Sequence, residues 1–274
     1  MRGSSVLIGR ASELGALNAM VEEARGGRAR GLLVRGAPGV GKTRLLREAA
    51  AGASGRGIRV AQSGCLPLTT PLPFDAVLGL LRSLGEPLSA VVTESPRELF
   101  GVVVDRLERA TVEGPLLLCL DDLQWSDGGT IDLVHYCLER LTDLPIAWLL
   151  AARPAAAVER LAHRLVRAGV LGHLELESLA PGDVRRLAGE ILGDDRVSER
   201  LATVLYARTG GNPFLCEELL RALGDAAAPE DWSSRGTGEI DRLVPGSVTE
   251  SIEERVLRLR ASARAALGWA AVLP

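Results

Sequence analysis

The residues Gly36-Ala37-Pro38-Gly39-Val40-Gly41-Lys42-Thr43 carry the sharpest chemical signal in the chain. Their spacing, G-x-x-x-x-G-K-T between an apolar run and a helical pattern, is that of a loop that cradles phosphate oxygens. Glycines let such a loop curl until successive N–H groups and a helix N-terminus converge on an anion. Lys42 is placed to reach the β- and γ-phosphates of a nucleotide, and Thr43 to offer a hydroxyl to Mg²⁺. Gly36, Pro38, Gly39, Val40, Gly41 and Arg44 complete the expected nucleotide-binding set. Composition sharpens the assignment. Lys and Arg together number 32, and Lys42 is the single lysine among them. Arginine serves wherever positive charge alone suffices, so the retained ammonium marks a need for a compact point charge. The plain alternative is a glycine-rich turn that binds nothing.

A second set lies at the end of the apolar run Leu116–Leu120, where Asp121 and Asp122 follow directly. Asp121 is expected to hold Mg²⁺ and Asp122 to polarise an attacking water. Adjacent aspartates also cap helices, so a structural reading stands beside the chemical one. An Asp is one methylene shorter than the Glu usual in fast ATPases, which predicts slow turnover. Arg153 ends the next apolar strand, where a cation would face the γ-phosphate; a surface arginine at a strand end is its alternative. Arg10 also has two readings, a contact to the nucleotide or a solvated arginine at a helix start. Gly210-Gly211-Asn212-Pro213, taken alone, reads as an ordinary turn between helices.

The elements that must position these residues follow from periodicity. Leu14, Leu17, Met20 and Val21 share one face of a helix over 12–24, and a compact strand over 31–35 runs into the phosphate loop. Helices are expected over 42–53 and, behind the capping box Ser95-Pro96-Arg97-Glu98, through Leu99, Val102, Val103, Leu107 and Ala110. Strands are expected over 58–61, 115–120, 146–152 and 173–176, with a helix over 130–141. The prolines of 66–73 exclude regular structure there. Strands alternating with helices at this rhythm indicate a parallel α/β sheet. From Pro181 onward only helices are expected, over 181–193, 197–209 and 213–223. The stretch from Ala226 to Thr237, with its alanines, Ser233, Ser234, Gly236 and acidic residues, is expected to be a linker leading to helical periodicity from Val248 to Leu273. That last pattern stops unfinished, as expected of an N-terminal piece of a longer protein.

With 47% apolar and 24% charged residues, the composition is that of a folded chain rather than a disordered one. A net charge of −3 argues against a general nucleic-acid or anionic-membrane surface. Cys65, Cys119, Cys137 and Cys216 lie far apart without C-x-x-C spacing, as expected of buried thiols in a reducing compartment. No signal segment or transmembrane run is present, so a soluble, cytoplasmic protein without a membrane partner is expected.

Taken in order, Ile8-Gly9-Arg10 with Glu13, the GAPGVGKT loop, Leu120-Asp121-Asp122-Leu123-Gln124-Trp125-Ser126-Asp127, Arg153 and Gly210-Gly211-Asn212-Pro213-Phe214 make a more specific pattern. The chain resembles the signal-transducing (STAND) branch of the AAA+-like ATPases, and within it the N-terminal ATPase module of large ATP-binding LuxR-family regulators. That resemblance implies a P-loop NTPase domain over 1–178 with a five-stranded parallel sheet. It further implies a helical lid over 179–224, a linker over 225–243 and the start of a winged-helix domain over 244–274. It implies that Ile8, Gly9 and Arg10 line the adenine pocket and that Pro213 closes over the base. ATP or ADP with Mg²⁺ would be the cofactors, and a slowly hydrolysing switch the activity. Self-association in the ATP state, an inducer, and DNA contact through a C-terminal domain outside this chain complete the implied partners. The alternative is a constitutive AAA+-type machine, a loader or remodeller unconnected with transcription. Arg164 and Arg167 stand where oligomeric relatives place an arginine finger, but a solvated helix face accounts for them.

Overall fold

The computed structural model describes residues 7–67, 72–85, 96–193 and 197–226. The expected linker beyond residue 226, the expected winged-helix start and Ser95 of the capping box lie outside them. Contacts divide the chain into two units, one of residues 10–177 and one formed by residues 1–9 with 178–274.

The first unit is built on five parallel strands, β1 (Arg30–Arg35), β2 (Arg59–Gly64), β3 (Leu116–Asp121), β4 (Ile146–Ala152) and β5 (Leu171–Glu175). Their order across the sheet is β2-β3-β4-β1-β5. Sequence explains the order. β4 (IAWLLAA) is buried throughout and β3 (LLLCLD) is buried up to its final Asp, as strands covered on both faces must be. β2 (RVAQSG) and β5 (LGHLE) carry polar residues and occupy the two edges, where one flank meets water.

Helices cover both faces. α1 (Ala11–Arg25) and α2 (Lys42–Gly55) pack together and on the central strands. The opposite face carries α3 (Asp75–Ser83), α4 (Pro96–Thr111), α5 (Gly128–Arg140) and α6 (Ala156–Arg167). There Leu33, Leu116, Leu118, Leu120, Trp148 and Leu150 share one apolar core with Val77, Leu107, Val134 and Leu161. The period-2 alternation of side chains sends Val34, Leu117, Cys119, Leu149 and Ala151 to the other face, also buried.

The helix α3 is a departure from the sequence reading, which placed nothing over 75–83. Phe74 before it is left-handed (φ 60°) and offers no side-chain cap. The helix is fixed instead by Ala76, Val77, Leu80 and Leu81 buried against the sheet. β2 runs on to Gly64 rather than stopping at Ala61, because it pairs with β3 residue for residue up to Gly64 opposite Asp121.

The second unit is helical, with α7 (Pro181–Leu192), α8 (Glu199–Thr209) and α9 (Pro213–Ala226). Its core gathers Leu179, Val184, Leu187, Leu201, Leu205, Cys216 and Leu220, and Ile8 packs against it. Every residue of the Gly210–Pro213 turn has a local task. Gly210 is the left-handed C-cap of α8. Gly211 passes so close to the Leu179 carbonyl that a Cβ would stand 2.1 Å from its oxygen. The Asn212 side chain accepts the Leu215 N–H at 3.4 Å, and Pro213 opens α9.

All four thiols are free, three of them buried. Burial pushes the Cys119 and Cys137 thiols up to about 12. Burial, with the carboxylates of Asp127 and Asp122 nearby, does the same for Cys65. At pH 8 the folded protein is therefore expected to react with a thiol reagent at Cys65 at most, and in denaturant at all four. Rapid labelling of Cys137 in the folded protein would contradict this core. No helix among the described residues is long and apolar enough to cross a membrane.

Candidate functional site

The phosphate loop leaves β1 at Arg35 and enters α2 at Lys42. Two glycines are required by its shape. A Cβ on Gly36 would sit 2.5 Å from the Leu176 carbonyl oxygen, where β5 runs on beside the loop. Gly41 caps α2 at φ 104°, a conformation that L side chains rarely adopt, with no side chain over the exposed N–H groups. Ala37, Pro38 and Gly39 form an exposed crown, while Val40 is buried.

Lys42 is only 6% exposed. Its Nζ donates to the Gly36 and Ala37 carbonyl oxygens at 2.8 and 2.9 Å, inside the curve of the loop. Burial holds its pKa below the ordinary lysine value, and the Arg153 charge adds to that. Asp122, Asp121 and Glu175 act in the opposite direction. Those four charged groups thus converge on one ammonium. The register explains why: Arg35 pairs with Ala152 of β4, so Gly36 and Arg153 leave adjacent strands at one level. Asp121 ends β3, the next strand over, one residue past the Leu120–Leu150 pair.

Asp122 turns the chain sharply at the end of β3 in a left-handed conformation (φ 55°), which Asp tolerates better than most residues. Its N–H donates to Asp121 Oδ1 at 2.8 Å. Asp122 does not act as a helix cap, since its side chain makes no capping bond to the single 3₁₀ turn over Leu123–Trp125 that follows. The helix cap here is Asp127, which accepts the Thr130 N–H through Oδ1 at 3.0 Å. Its Oδ2 takes the Phe74 N–H at 3.1 Å and pairs with the Thr130 hydroxyl. Cys65 N–H donates to the Asp121 carbonyl at 3.0 Å, so both ends of the loop after β2 are tied to the acidic run.

Arg10 is not solvated, which corrects one of its two readings. It is 6% exposed and pairs with Glu13 at 2.9 Å. Its second terminal nitrogen donates to the carbonyls of Val40 and Glu177 at 3.3 and 2.5 Å. Arg10, the N-cap residue of α1, therefore ties the phosphate loop at Val40 to the Glu177 carbonyl, a role sequence alone does not disclose. Burial raises the Glu13 carboxyl pKa, but hydrogen bonds from Ser12 and Arg10 bring it below 4.5 overall. This depressed carboxylate contributes stability above its unfolded value, lost as pH falls through the folded one. Arg10→Ala is expected to cost about 2–4 kcal/mol at pH 7, less below pH 4, and to weaken phosphate binding roughly tenfold. Denaturant melts at the two pH values and a nucleotide titration check it.

Thr43 and Arg44 lie on the first turn of α2, both half-buried, and Arg153 is half-buried at the end of β4. Gly36, Gly39, Gly41, Lys42, Thr43, Asp121, Asp122 and Arg153 are thus placed by one sheet end within the first unit. Ile8, Gly9 and Pro213 belong to the helical unit, where Ile8 meets its core. Arg164 and Arg167 are exposed on α6. Glu175 and Gln124 belong to the site's surroundings; the sequence reading places Gln124 in the acidic run without a role and assigns none to Glu175. Among the described residues no cluster of His, Cys, Asp or Glu could hold a metal by itself.

The geometry fits a nucleotide with Mg²⁺: a glycine-curled loop, a deep ammonium, a helix N-terminus without a side-chain cap, and carboxylates at the next strand end. Comparisons agree on the fold. Sequence comparison with curated proteins finds no match. Among solved structures, the Aeropyrum pernix ORC2 protein in ADPNP–ADP complexes is 18% identical at a TM-score of 0.64, over 91% of this chain and 69% of that one. The Aeropyrum pernix ORC1 protein in complex with DNA is 21% identical at 0.62, over 96% and 71%. Cdc6p from Pyrobaculum aerophilum is 17% identical at 0.65, over 82% and 64%. A domain of unknown function (DUF8739) matches residues 183–231. The model of the AAA ATPase domain matches residues 6–150, more than half of the chain, and the protein belongs to that family.

Proposed function

We propose that the chain is an ATP- and ADP-binding, slowly hydrolysing switch module. The observation that carries the reading is the register that brings Gly36, Arg153 and Asp121 to one end of three neighbouring strands, beside a glycine-curled loop whose carbonyls hold the buried Lys42. The loop N–H groups and Lys42 hold the phosphates, with Gly36, Pro38, Gly39, Val40, Gly41 and Arg44 shaping the cradle. Thr43 and Asp121 would hold Mg²⁺, which would supply charge neutralisation on the phosphate oxygens. Asp122 orients a water for in-line attack and takes its proton as the water oxygen bonds to the γ-phosphorus and the bond from that phosphorus to the β–γ bridging oxygen breaks, leaving ADP and inorganic phosphate. Arg153 faces the γ-phosphate and stabilises charge on it. Ile8, Gly9 and Arg10, and Pro213 from the helical unit, are assigned to the adenine side on the family resemblance, with Arg10 acting through the Val40 carbonyl.

The regulatory reading goes further. The module is proposed to belong to a LuxR-family transcriptional regulator of STAND type, in which loss of the γ-phosphate reverses self-association and an inducer controls exchange. The 179–224 segment is then the lid, 225–243 the linker and 244–274 the winged-helix start. DNA contact belongs to a domain beyond this chain, and the site of action is the cytoplasm. The short Asp122 carboxylate supports slow turnover.

Single-turnover hydrolysis and sedimentation with ADP and with ATP test the switch. Turnover on the order of one per minute or slower, with larger assemblies in ATP only, is expected. Turnover above about 1 s⁻¹ with assembly in either nucleotide would instead identify a constitutive machine, such as a loader or remodeller.

A further inference from the structure

Gln124 sits in the 3₁₀ turn between the acidic pair and Trp125, and both ends of its amide are used. Its Nε2 donates to Asp122 Oδ1 at 2.8 Å. Its Oε1 accepts the backbone N–H of Arg153 at 2.8 Å, joining two strand ends 29 residues apart in sequence. Chemistry fixes the amide's orientation. A backbone N–H can only donate, so the oxygen must face Arg153, and the nitrogen is then left for a carboxylate that can only accept. Asp122 is held on the other side by its left-handed backbone and by its N–H bond to Asp121. The carboxylate therefore has one oxygen assigned by Gln124, and Gln124 is itself pinned to the end of β4.

We infer that Gln124 is a positioning residue that couples the Asp122 carboxylate to the strand end carrying Arg153. This rests on the reading of the site as one that hydrolyses a nucleotide, and adds to it a residue that never touches the substrate. A shift of Arg153 on gaining or losing a γ-phosphate moves its own N–H, and the amide passes that movement to Asp122. Side-chain length matters: Asn is one methylene too short to span both partners. Charge matters as well. A Glu keeps an acceptor for the Arg153 N–H but turns a second oxygen toward Asp122, breaking one link and leaving the other.

The test is a set of variants of this chain, Q124A, Q124E, D122N and the D122N/Q124A pair, assayed with Mg·ATP. Q124A is expected to lower kcat by about 10- to 100-fold while KM and the ADP Kd stay within about twofold, as loss of orientation does. Q124E is expected to fall as far as Q124A. If Gln124 merely held β4 in place, Q124E would instead restore kcat, and the proposal would be overturned. Adding Q124A to D122N is expected to cost nothing further, since the residue acts through Asp122; full additivity of the two losses would also overturn it. Should Q124A fold poorly, Q124E still decides the matter by whether its kcat falls or stays at the wild-type value. Wild-type hydrolysis with wild-type kcat in Q124A rejects this inference alone. A wild type that neither binds nor hydrolyses ATP rejects the underlying site reading, and this inference with it.

Discussion

Lys42→Ala is expected to abolish tight nucleotide binding, raising the Kd for ADP and for ATP by about 10²–10⁴-fold. The estimate follows from losing two charge-assisted hydrogen bonds to phosphate, each contributing about 1.5–3 kcal/mol. The ammonium is enclosed by the loop it serves, bonded to the Gly36 and Ala37 carbonyls, and no second lysine exists in the chain to replace it. Lys42→Arg is expected to fail almost as badly. A planar guanidinium cannot sit where a compact ammonium is encircled by carbonyl oxygens, although arginine fills every other basic position. Calorimetric titration with Mg·ADP checks both variants; affinity unchanged in Lys42→Ala would refute the site.

Asp122→Asn is expected to leave nucleotide affinity within about threefold and to lower turnover by about 10²–10³-fold, the range of a lost general base. The substitution isolates charge from shape. Asn accepts the left-handed conformation that position 122 requires, and its Oδ1 still receives the Gln124 Nε2 bond. Single-turnover hydrolysis alongside a binding titration separates the outcomes. Collapse of binding with turnover would make Asp122 structural and remove it from the mechanism.

Much of the framework is legible in the chain because burial leaves an unambiguous trace. β3 and β4 are continuous apolar runs, and only strands covered on both faces tolerate such sequences. The phosphate loop is legible because its glycines and Lys42 recur at fixed spacing for a geometric reason. A parallel α/β sheet follows from those two facts and the strand–helix rhythm, and its five strands are what the family resemblance implies. α3 carries no local signal because no side chain caps it: Phe74 precedes it in a left-handed conformation, and what holds it is apolar contact with the sheet and long-range bonds from Phe74 to Asp127 and from Gln62 to Ser83.

Long-range polar contacts are the other gap. Arg10 reaches Val40 and Glu177, and Gln124 reaches Arg153, across separations that periodicity does not encode. One signal was present for each. Arg10 stands three residues before Glu13, a spacing suited to an ion pair at a helix start. Gln124 stands two residues after Asp122, within the run that carried the family resemblance. Neither signal names the distant partner. Asp127 shows the converse case, in which an acidic residue of the same run proves to be a helix cap that also ties down Phe74.

The loop from Gly36 to Thr43 is proposed to hold an adenine nucleotide firmly enough to act as a latch. The most direct measurement is to denature freshly purified protein, identify the released nucleotide by chromatography and count it per chain. Close to one ADP per chain is expected, with little free ATP. An empty protein that also fails to take up added Mg·ADP or Mg·ATP would contradict the claim.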